Sequence, residues 1–299
     1  WPSDFVAAVG TILVPAMVRN GYSKDYASAA ASSGGTIGIL IPPSNPLIIY
    51  GIMGNVSITS LFTAGFVPGF MVAFFMSLTA WFIAKRQDFS GDVSQPPFNV
   101  AHFCKTCFRY LPSLLTPFII LGSIYSGICT PVEASVVAVI WAFLVGGLVN
   151  RQLTWNKIYH SFVDGAMLCG VVLLIVGSST LFGKLLTYEQ VPLRLAEAFL
   201  AFSQSKTVIM LLILALLLVL GMFLETLATL IILVPVLMPI VTQLGIDPVH
   251  FGIFLVLTNE VALLSPPLGV NLFVSSRIAD IPVESVVIGI MPYIGVLIL

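Results

Sequence analysis

Ten stretches of apolar residues, separated by short polar or charged segments, make up most of the chain. Most of them are long enough for a helix to cross or enter the hydrocarbon core of a bilayer, which takes about 20 apolar residues for a full span. The pattern therefore predicts an all-α polytopic membrane protein. The stretches are 5–18, 26–54, 61–84, 110–128, 131–149, 164–183, 207–223, 225–243, 248–278 and 282–299.

Two of these stretches, 26–54 and 248–278, are too long for a simple span, and each holds small polar residues and a Pro-Pro pair near its middle. Proline removes a backbone N–H and disrupts the preceding helical turn, which frees carbonyl oxygens. Free backbone groups at membrane depth must line a cavity or bind something. Each stretch is therefore predicted to be a broken helix.

An internal repeat relates the two broken helices. At an offset of 224 positions, without gaps, six glycine and proline positions coincide. By the same register, about 115 residues with three further spans and the first arm of a hairpin are expected before Trp1. The coinciding pairs are Pro15 with Pro239, Gly21 with Gly245, Pro42 with Pro266, Pro43 with Pro267, Gly65 with Gly289, and Pro68 with Pro292.

The placement of basic residues predicts that the repeats are inverted. If 207–223 and 225–243 form a re-entrant hairpin, nine basic residues lie on the cytoplasmic side and three lie outside. The two broken helices then cross in opposite directions, which is a signature of secondary transporters with binding sites at the breaks. The inner residues are Arg19, Lys24, Lys85, Arg86, Lys105, Arg109, Arg151, Lys157 and Arg277, and the outer ones are Lys184, Arg194 and Lys206.

The composition agrees with a membrane protein and narrows its chemistry. The chain of 299 residues is 58% hydrophobic and 8% charged, with a mean hydropathy of +1.07, whereas soluble domains carry about 25% charged residues. Cys104 and Cys107 form one C-x-x-C near His102, but no second ligand pair follows, so no metal site is expected there. An embedded enzyme would need clustered acids and histidines, yet His102, His160 and His250 all fall at predicted span ends.

Both breaks are rich in oxygen-bearing residues that suit a hard cation such as sodium. Small residues that allow close helix packing are the alternative for either break alone, but two matched breaks favour binding. The helix N-termini after the Pro-Pro pairs carry partial positive charge and suit an anionic substrate. The first break reads Ser32-Ser33-Gly34-Gly35-Thr36-Ile37-Gly38 and Ile41-Pro42-Pro43-Ser44-Asn45-Pro46, and the second reads Thr258-Asn259-Glu260 and Ser265-Pro266-Pro267-Leu268-Gly269-Val270-Asn271.

Two acidic residues in apolar surroundings have different predicted roles. Glu225 is a lone acid at the predicted hairpin turn, and a carboxylate at the membrane centre costs about 2.5–3.5 kcal/mol, so such residues tend to be functional. A water-exposed turn residue is the alternative for Glu225. Thr130, Pro131 and Glu133 have the pattern of a capping box with proline at the first helical position, which predicts a structural role for Glu133.

Several motifs resemble the large membrane subunit of the tripartite ATP-independent periplasmic (TRAP) transporters, and most closely its sialic acid members. The resemblance covers essentially the whole chain. The motifs are Gly34-Gly35-Thr36-Ile37-Gly38-Ile39-Leu40-Ile41-Pro42-Pro43-Ser44 with Ile49-Tyr50-Gly51, Thr130-Pro131-Val132-Glu133-Ala134, Leu233-Val234-Pro235, Gly245-Ile246-Asp247-Pro248-Val249-His250-Phe251-Gly252, and Pro266-Pro267-Leu268-Gly269-Val270-Asn271-Leu272-Phe273.

This resemblance implies sodium-driven uptake of an organic acid anion, such as sialic acid or a C4-dicarboxylate, across the bacterial inner membrane. It implies a soluble periplasmic substrate-binding protein and a small membrane subunit, separate or fused. No cofactor is expected besides sodium as the coupling ion. An elevator-type motion would carry a transport domain, 1–84 with 206–299, against a scaffold of spans and amphipathic arm helices, 85–205.

The resemblance also implies where the ligands bind. Sodium is expected where the hairpins meet the broken helices, and the substrate between the hairpin tips. Because Glu225 is itself an acid, it suits a hydroxyl or amine group of the substrate better than a carboxylate. An anion transporter of the same architecture without a binding protein, or a passive channel, is the alternative function. The sodium residues are Ser33, Gly34, Thr36, Gly221, Thr226, Thr258 and Glu260, and the substrate residues are Ser44, Asn45 and Glu225.

Overall fold

A computed structural model gives the fold of most of the chain. All the secondary-structure elements in the described residues are helices, which confirms the all-α prediction. Trp1, Pro267 and Leu268, which appear in the sequence motifs above, lie outside the described residues. The described residues are 2–87, 100–149, 151, 153–191, 194, 197–198, 205–266 and 269–298.

Most helices follow the predicted apolar stretches, but α5 begins at Val100, before the predicted start at 110, and α8 begins at Trp155, before the predicted start at 164. A π-helical turn, Val145–Val149, extends α7. In the described part of the chain, four helices are long and apolar enough to cross a membrane, and a bent pair adds a fifth. The helices are α1 (Pro2–Arg19), α2 (Lys24–Leu40), α3 (Asn45–Gly54), α4 (Ile58–Arg86), α5 (Val100–Leu114), α6 (Thr116–Tyr125), α7 (Pro131–Leu144), α8 (Trp155–Tyr188), α9 (Lys206–Gly221), α10 (Thr226–Gln243), α11 (Pro248–Leu263), α12 (Val270–Ala279) and α13 (Val283–Ile298).

Both predicted breaks are confirmed. Helix α2 ends at Leu40 and α3 begins at Asn45, and the two axes differ by 43°. In the second repeat α11 ends at Leu263 and α12 begins at Val270. Ser44, Asn45 and Ser265 therefore lie at or beyond helix ends, where backbone groups lack partners within a helix. The segments 32–38 and 258–260 instead lie within α2 and α11, so the breaks fall after them.

The helix boundaries follow the predicted register of 224. Helix α1 covers 2–19 and α10 covers 226–243, so their bounds coincide when the offset is applied. Both helices end in a turn with glycine in the left-handed region, Gly21 at φ 87° and Gly245 at φ 61°. In each turn the residue after glycine donates its N–H to a carbonyl five residues back, Tyr22 to Met17 and Ile246 to Val241. This is the Schellman motif, which glycine forms without a steric penalty.

The two repeats pack against each other in a reciprocal way. Helix α1 packs on α12, and its counterpart α10 packs on α3, the counterpart of α12. A Cβ atom on Gly10 would lie 3.1 Å from Ile278 Cδ1, and one on Gly54 would lie 3.4 Å from Val234 Cγ1. These four positions are related by the same offset. In the first contact the glycine, Gly10, lies on the arm helix α1, whereas in the second the glycine, Gly54, lies on the broken helix, in α3.

Tyr50 connects the second half of one broken helix to the first half of the other. It is one of the largest fully buried side chains. Its hydroxyl donates to the Pro248 carbonyl oxygen over 2.6 Å, and its ring lies 6.4 Å from the ring of Phe251. A Cβ on Gly252 would collide with the Tyr50 ring. The packing therefore requires glycine at position 252.

The chain divides into two compact units. One comprises Trp1–Val93 with Ser179–Leu299, and the other comprises Ser94–Ser178. In the second unit the indole N–H of Trp141 donates to the Pro112 carbonyl oxygen over 3.0 Å. The predicted capping box is confirmed there, because Thr130 Oγ1 accepts from Glu133 N and Glu133 Oε2 accepts from Thr130 N. Glu133 thus has the structural role that the sequence predicts. The transport and scaffold assignments stay predictions.

Replacing Gly252 with alanine should destabilise the protein, because the new methyl group would collide with the Tyr50 ring. Overpacking of this kind costs about 1–3 kcal/mol. We expect a lower thermal midpoint for G252A in detergent, measured by intrinsic fluorescence. Gly295 is the matched control, since nothing lies within 4 Å of the Cβ it would gain. An equal midpoint for G252A and G295A would contradict this packing.

Candidate functional site

The hairpin tip between α9 and α10 lies against the end of α11. Thr226 begins α10, and its hydroxyl donates to Glu260 Oε1 over 3.2 Å. Both side chains are buried, and Glu260 Oε2 has no hydrogen-bond partner. A buried charge is costly unless a counter-charge or further hydrogen bonds satisfy it. The structure thus brings together two of the predicted sodium residues from separate elements.

Gly221, a third predicted sodium residue, lies at the same contact. A Cβ on Gly221 would lie 2.7 Å from Asn259 Oδ1 and 2.7 Å from Ala262 Cβ. Only glycine lets the end of α9 approach α11 this closely. The hairpin tip and the broken helix therefore meet at Gly221 and Thr226.

Asn259 is a residue that our sequence analysis did not select. Its side chain is 0% exposed, and neither its amide oxygen nor its amide nitrogen has a partner. The amide oxygen faces the backbone at Gly221. The sequence carried a signal for it, because Asn259 stands between the two selected residues Thr258 and Glu260.

Thr258 lies on a different side of α11. It is buried, but two residues along an α-helix are about 200° apart around the axis. Its hydroxyl therefore points away from the Glu260 carboxylate. Thr258 is four residues before Ala262 and shares its face of α11, and Ala262 lies beside Gly221. The structure thus brings Thr226 to Glu260 and places Thr258 on the Gly221 side of α11.

Glu225 caps the helix that follows it. Its Oε2 accepts a hydrogen bond from Leu227 N over 3.0 Å, and its Oε1 is buried without a partner. The residue as a whole is half-buried. A carboxylate at a helix N-terminus is stabilised by the helix dipole. Glu225 therefore has a structural function, and its second oxygen has no hydrogen-bond partner in the described part of the chain.

In the first repeat, the predicted sodium residues lie along α2. Ser33 and Thr36 are buried, and their hydroxyls donate to the carbonyl oxygens of Ala30 (3.0 Å) and Ser33 (2.7 Å). A hydroxyl that donates one hydrogen bond keeps its lone pairs for a cation. Beside Gly34, no atom lies within 4 Å of the position that a Cβ would take. Gly34 thus faces open space, unlike Gly221.

Ser44 and Asn45 stand at the start of α3. Ser44 is buried and caps the helix, since its hydroxyl accepts from Leu47 N over 3.4 Å. Asn45 is exposed. Asn45 is therefore accessible at the protein surface, whereas Ser44 is not. Ser44 caps the helix that begins after the break.

A second polar cluster, also missed by our sequence analysis, joins the two broken helices. Ser32 Oγ lies 2.6 Å from Ser275 Oγ and 3.4 Å from the Asn271 carbonyl oxygen. The Asn271 side chain is 0% exposed, and both of its amide atoms lack partners. Ser32 and Asn271 appear in the two break motifs, but the sequence does not show that they meet.

Comparison with known proteins agrees with the motifs. The family model described as "Tripartite ATP-independent periplasmic transporter, DctM component" matches residues 4–299. The chain is 37% identical over 292 residues to the isethionate TRAP transporter permease protein DctMQ of Oleidesulfovibrio alaskensis, covering 98% of this chain and 46% of that protein. It is 38% identical over 284 residues to the sialic acid TRAP transporter large permease protein SiaM of Vibrio cholerae, covering 95% of this chain and 66% of that protein.

A third relative completes the comparison. The C4-dicarboxylate TRAP transporter large permease protein DctM of Pseudomonas aeruginosa is 33% identical over 292 residues, covering 98% of this chain and 68% of that protein. The chain thus spans between about half and two thirds of the length of these relatives. All three are named as transporter permeases. The resemblance predicted from the motifs is confirmed, and the chain belongs to the DctM component family of the tripartite ATP-independent periplasmic transporters.

Proposed function

We propose that this chain forms part of a sodium-coupled transporter that takes up an organic acid anion across the bacterial inner membrane. The observation that carries the proposal is the buried contact between Thr226 and Glu260, which leaves one carboxylate oxygen without a partner. The names of the relatives, which mention isethionate, sialic acid and C4-dicarboxylates, support an organic acid anion as the substrate.

Sodium suits the chemistry at the hairpin tip. A hard cation takes oxygen ligands, and the contact offers the Glu260 carboxylate, the Thr226 hydroxyl and backbone oxygens near Gly221. The Asn259 amide oxygen, which faces Gly221, would add a neutral ligand. The cation would also compensate a carboxylate that is otherwise buried without a counter-charge. Thr258 would contribute through its hydroxyl, since it shares the face of α11 that lies beside Gly221.

A second sodium site in the first repeat follows from the register. Gly34 is equivalent to Thr258, and Thr36 is equivalent to Glu260. The residues proposed for this second site, Ser33, Gly34 and Thr36, thus occupy the segment of α2 that corresponds to the Glu260 segment of α11. The spare lone pairs of the two hydroxyls support this assignment.

We place the substrate near Ser44, Asn45 and Glu225. The N-terminus of α3 provides partial positive charge for an anionic group, and Ser44 holds that terminus in place. The free oxygen of Glu225 would accept a hydrogen bond from a hydroxyl or amine of the substrate and would repel a carboxylate. This combination favours a hydroxylated acid such as sialic acid over a simple C4-dicarboxylate.

The full transporter would contain further parts. We propose a small membrane subunit, separate or fused, and a soluble periplasmic substrate-binding protein, as in other assemblies of the family. The name DctMQ of one relative supports the fused arrangement. We also propose an elevator motion of 1–84 with 206–299 against 85–205. The compact unit formed by Trp1–Val93 and Ser179–Leu299 supports the idea that the two outer segments move as one body.

Removing either candidate hydroxyl should weaken the sodium dependence of uptake. We expect T36A and T226A to raise the half-saturating sodium concentration about fivefold to tenfold, the cost of one lost polar ligand. Uptake is measured in proteoliposomes that contain the assembled transporter. Thr242 is the control for Thr226, because it is exposed on the same helix and bonds only to carbonyl oxygens of that helix. Unchanged sodium dependence in both variants would refute the two assignments.

Removing the charge of Glu260 separates sodium coupling from proton coupling. If sodium compensates this carboxylate, E260Q should bind sodium more weakly, and uptake should lose most of its sodium response while the protein stays folded. If a proton compensates it instead, E260Q should leave the sodium response intact and remove a pH dependence of uptake. Glu284 is exposed on α13, so E284Q is the matched control and should behave like the unchanged protein.

Uphill uptake separates the proposed function from its alternatives. With an inward sodium gradient and the loaded binding protein outside, proteoliposomes should accumulate the anion above its external concentration. Accumulation without the binding protein would instead indicate a transporter that works alone. Equilibration at equal concentrations on both sides, whatever the sodium gradient, would indicate a passive channel. A binding assay on the partner protein would then identify the substrate.

A further inference from the structure

We propose that Ser32, Asn271 and Ser275 form an additional buried cation site, one helical turn from Thr36 on α2 and separate from the site at the hairpin tip. This inference rests on the proposed function, because it takes sodium as the coupling ion. The cluster lies where α2, the first half of one broken helix, packs on α12, the second half of the other.

Three neutral oxygen atoms lie close together at a buried position. Ser32 Oγ lies 2.6 Å from Ser275 Oγ and 3.4 Å from the Asn271 carbonyl oxygen. Asn271 and Ser275 are four residues apart, so their side chains lie one above the other on one face of α12. The Asn271 amide is fully buried and has no hydrogen-bond partner among the residues that the structure describes. An unpartnered buried amide is costly, and a bound ligand would remove that cost.

The repeat provides an internal control for this cluster. The contact between α3 and α11 is the counterpart of the contact between α12 and α2. At the offset of 224, the positions of Ser32, Asn271 and Ser275 are taken by apolar residues or glycine, namely Val256, Leu47 and Gly51. Val256 and Leu47 are both fully buried. The three equivalent positions of the other repeat therefore carry no polar side chain, so the fold does not require the polar trio.

The chemistry of the trio indicates a monovalent cation. Divalent cations such as Ca²⁺ and Mg²⁺ are bound with the help of carboxylates, and the trio has none. An anion would lie against the Asn271 carbonyl oxygen, which points toward Ser32 and would repel it. Hydroxyl, amide and carbonyl oxygens are the neutral ligands that suit sodium at interrupted helices. Sodium is therefore the ligand that we assign.

The repeat also suggests the test variants. S32V and N271L introduce the residues that stand at the equivalent positions of the other repeat, so the double variant S32V/N271L matches at two of the three positions a contact that the chain already forms. The smaller change S32A serves if the double variant does not fold. Ser28 provides the control, since it is buried one turn earlier on α2 and its hydroxyl bonds to the Lys24 carbonyl oxygen of the same helix.

Two measurements on the assembled transporter test the site. Thermal midpoints are recorded in sodium chloride and in choline chloride, and sodium-dependent uptake is recorded in proteoliposomes. We expect S32A and S32V/N271L to keep or raise the midpoint in choline and to lose part of the stabilisation by sodium. Their half-saturating sodium concentration should rise about tenfold, with a lower Hill coefficient. S28A should match the unchanged protein in both measurements.

Other outcomes overturn the proposal. A lower midpoint in choline with a full sodium response would mean that the trio only holds the helices together. An unchanged sodium response in S32A, with uptake by the unchanged protein still sodium-dependent, would reject this site and leave the proposed function standing. If the unchanged protein shows no sodium response at all, the proposed function itself fails, and the site fails with it.

Discussion

The need to satisfy every backbone polar group within a membrane constrains this structure more than any other factor. A helix that breaks in hydrocarbon exposes N–H and C=O groups that water cannot reach. Here two side chains, one at a break and one at the hairpin tip, accept hydrogen bonds from such N–H groups. Ser44 accepts from Leu47 N at the start of α3, and Glu225 accepts from Leu227 N at the start of α10. The residues that we propose for substrate binding are therefore also helix caps. A loss of transport on changing Ser44 or Glu225 would combine a structural and a functional effect.

Reciprocal packing of the repeats holds both breaks within one compact unit. Each arm, α1 or α10, lies against the broken helix of the other repeat and not only its own. Gly10 meets Ile278 and Val234 meets Gly54, so two equivalent contacts fit closely with different residues. The consequence is that neither broken helix can shift alone without disturbing the other. Sites at the two breaks are thus mechanically linked by the core itself.

The sequence predicted the features that depend on local pattern. Proline and glycine positions predicted both breaks and the register of 224, and the Thr130 to Glu133 motif predicted a capping box that the structure confirms. These features succeed because backbone conformation at proline and glycine is decided within a few residues. The close approach of Asn259 to Gly221 and the meeting of Ser32 with Ser275 were not predicted. They depend on how each helix is rotated about its axis in the packed unit, which short-range pattern does not specify.

The two proposed sodium sites differ in charge, and this difference bears on how transport is coupled. The register places Thr36, a neutral hydroxyl, opposite Glu260, a carboxylate. A cation bound near Thr36 adds a positive charge to the moving unit, whereas one bound near Glu260 forms a neutral pair. Without its cation, Glu260 would carry an uncompensated charge through the membrane, at a cost of about 2.5–3.5 kcal/mol on insertion scales. That cost would favour movement of the loaded form over the empty one. We therefore expect the Glu260 site, more than the Thr36 site, to prevent the transport unit from crossing without sodium.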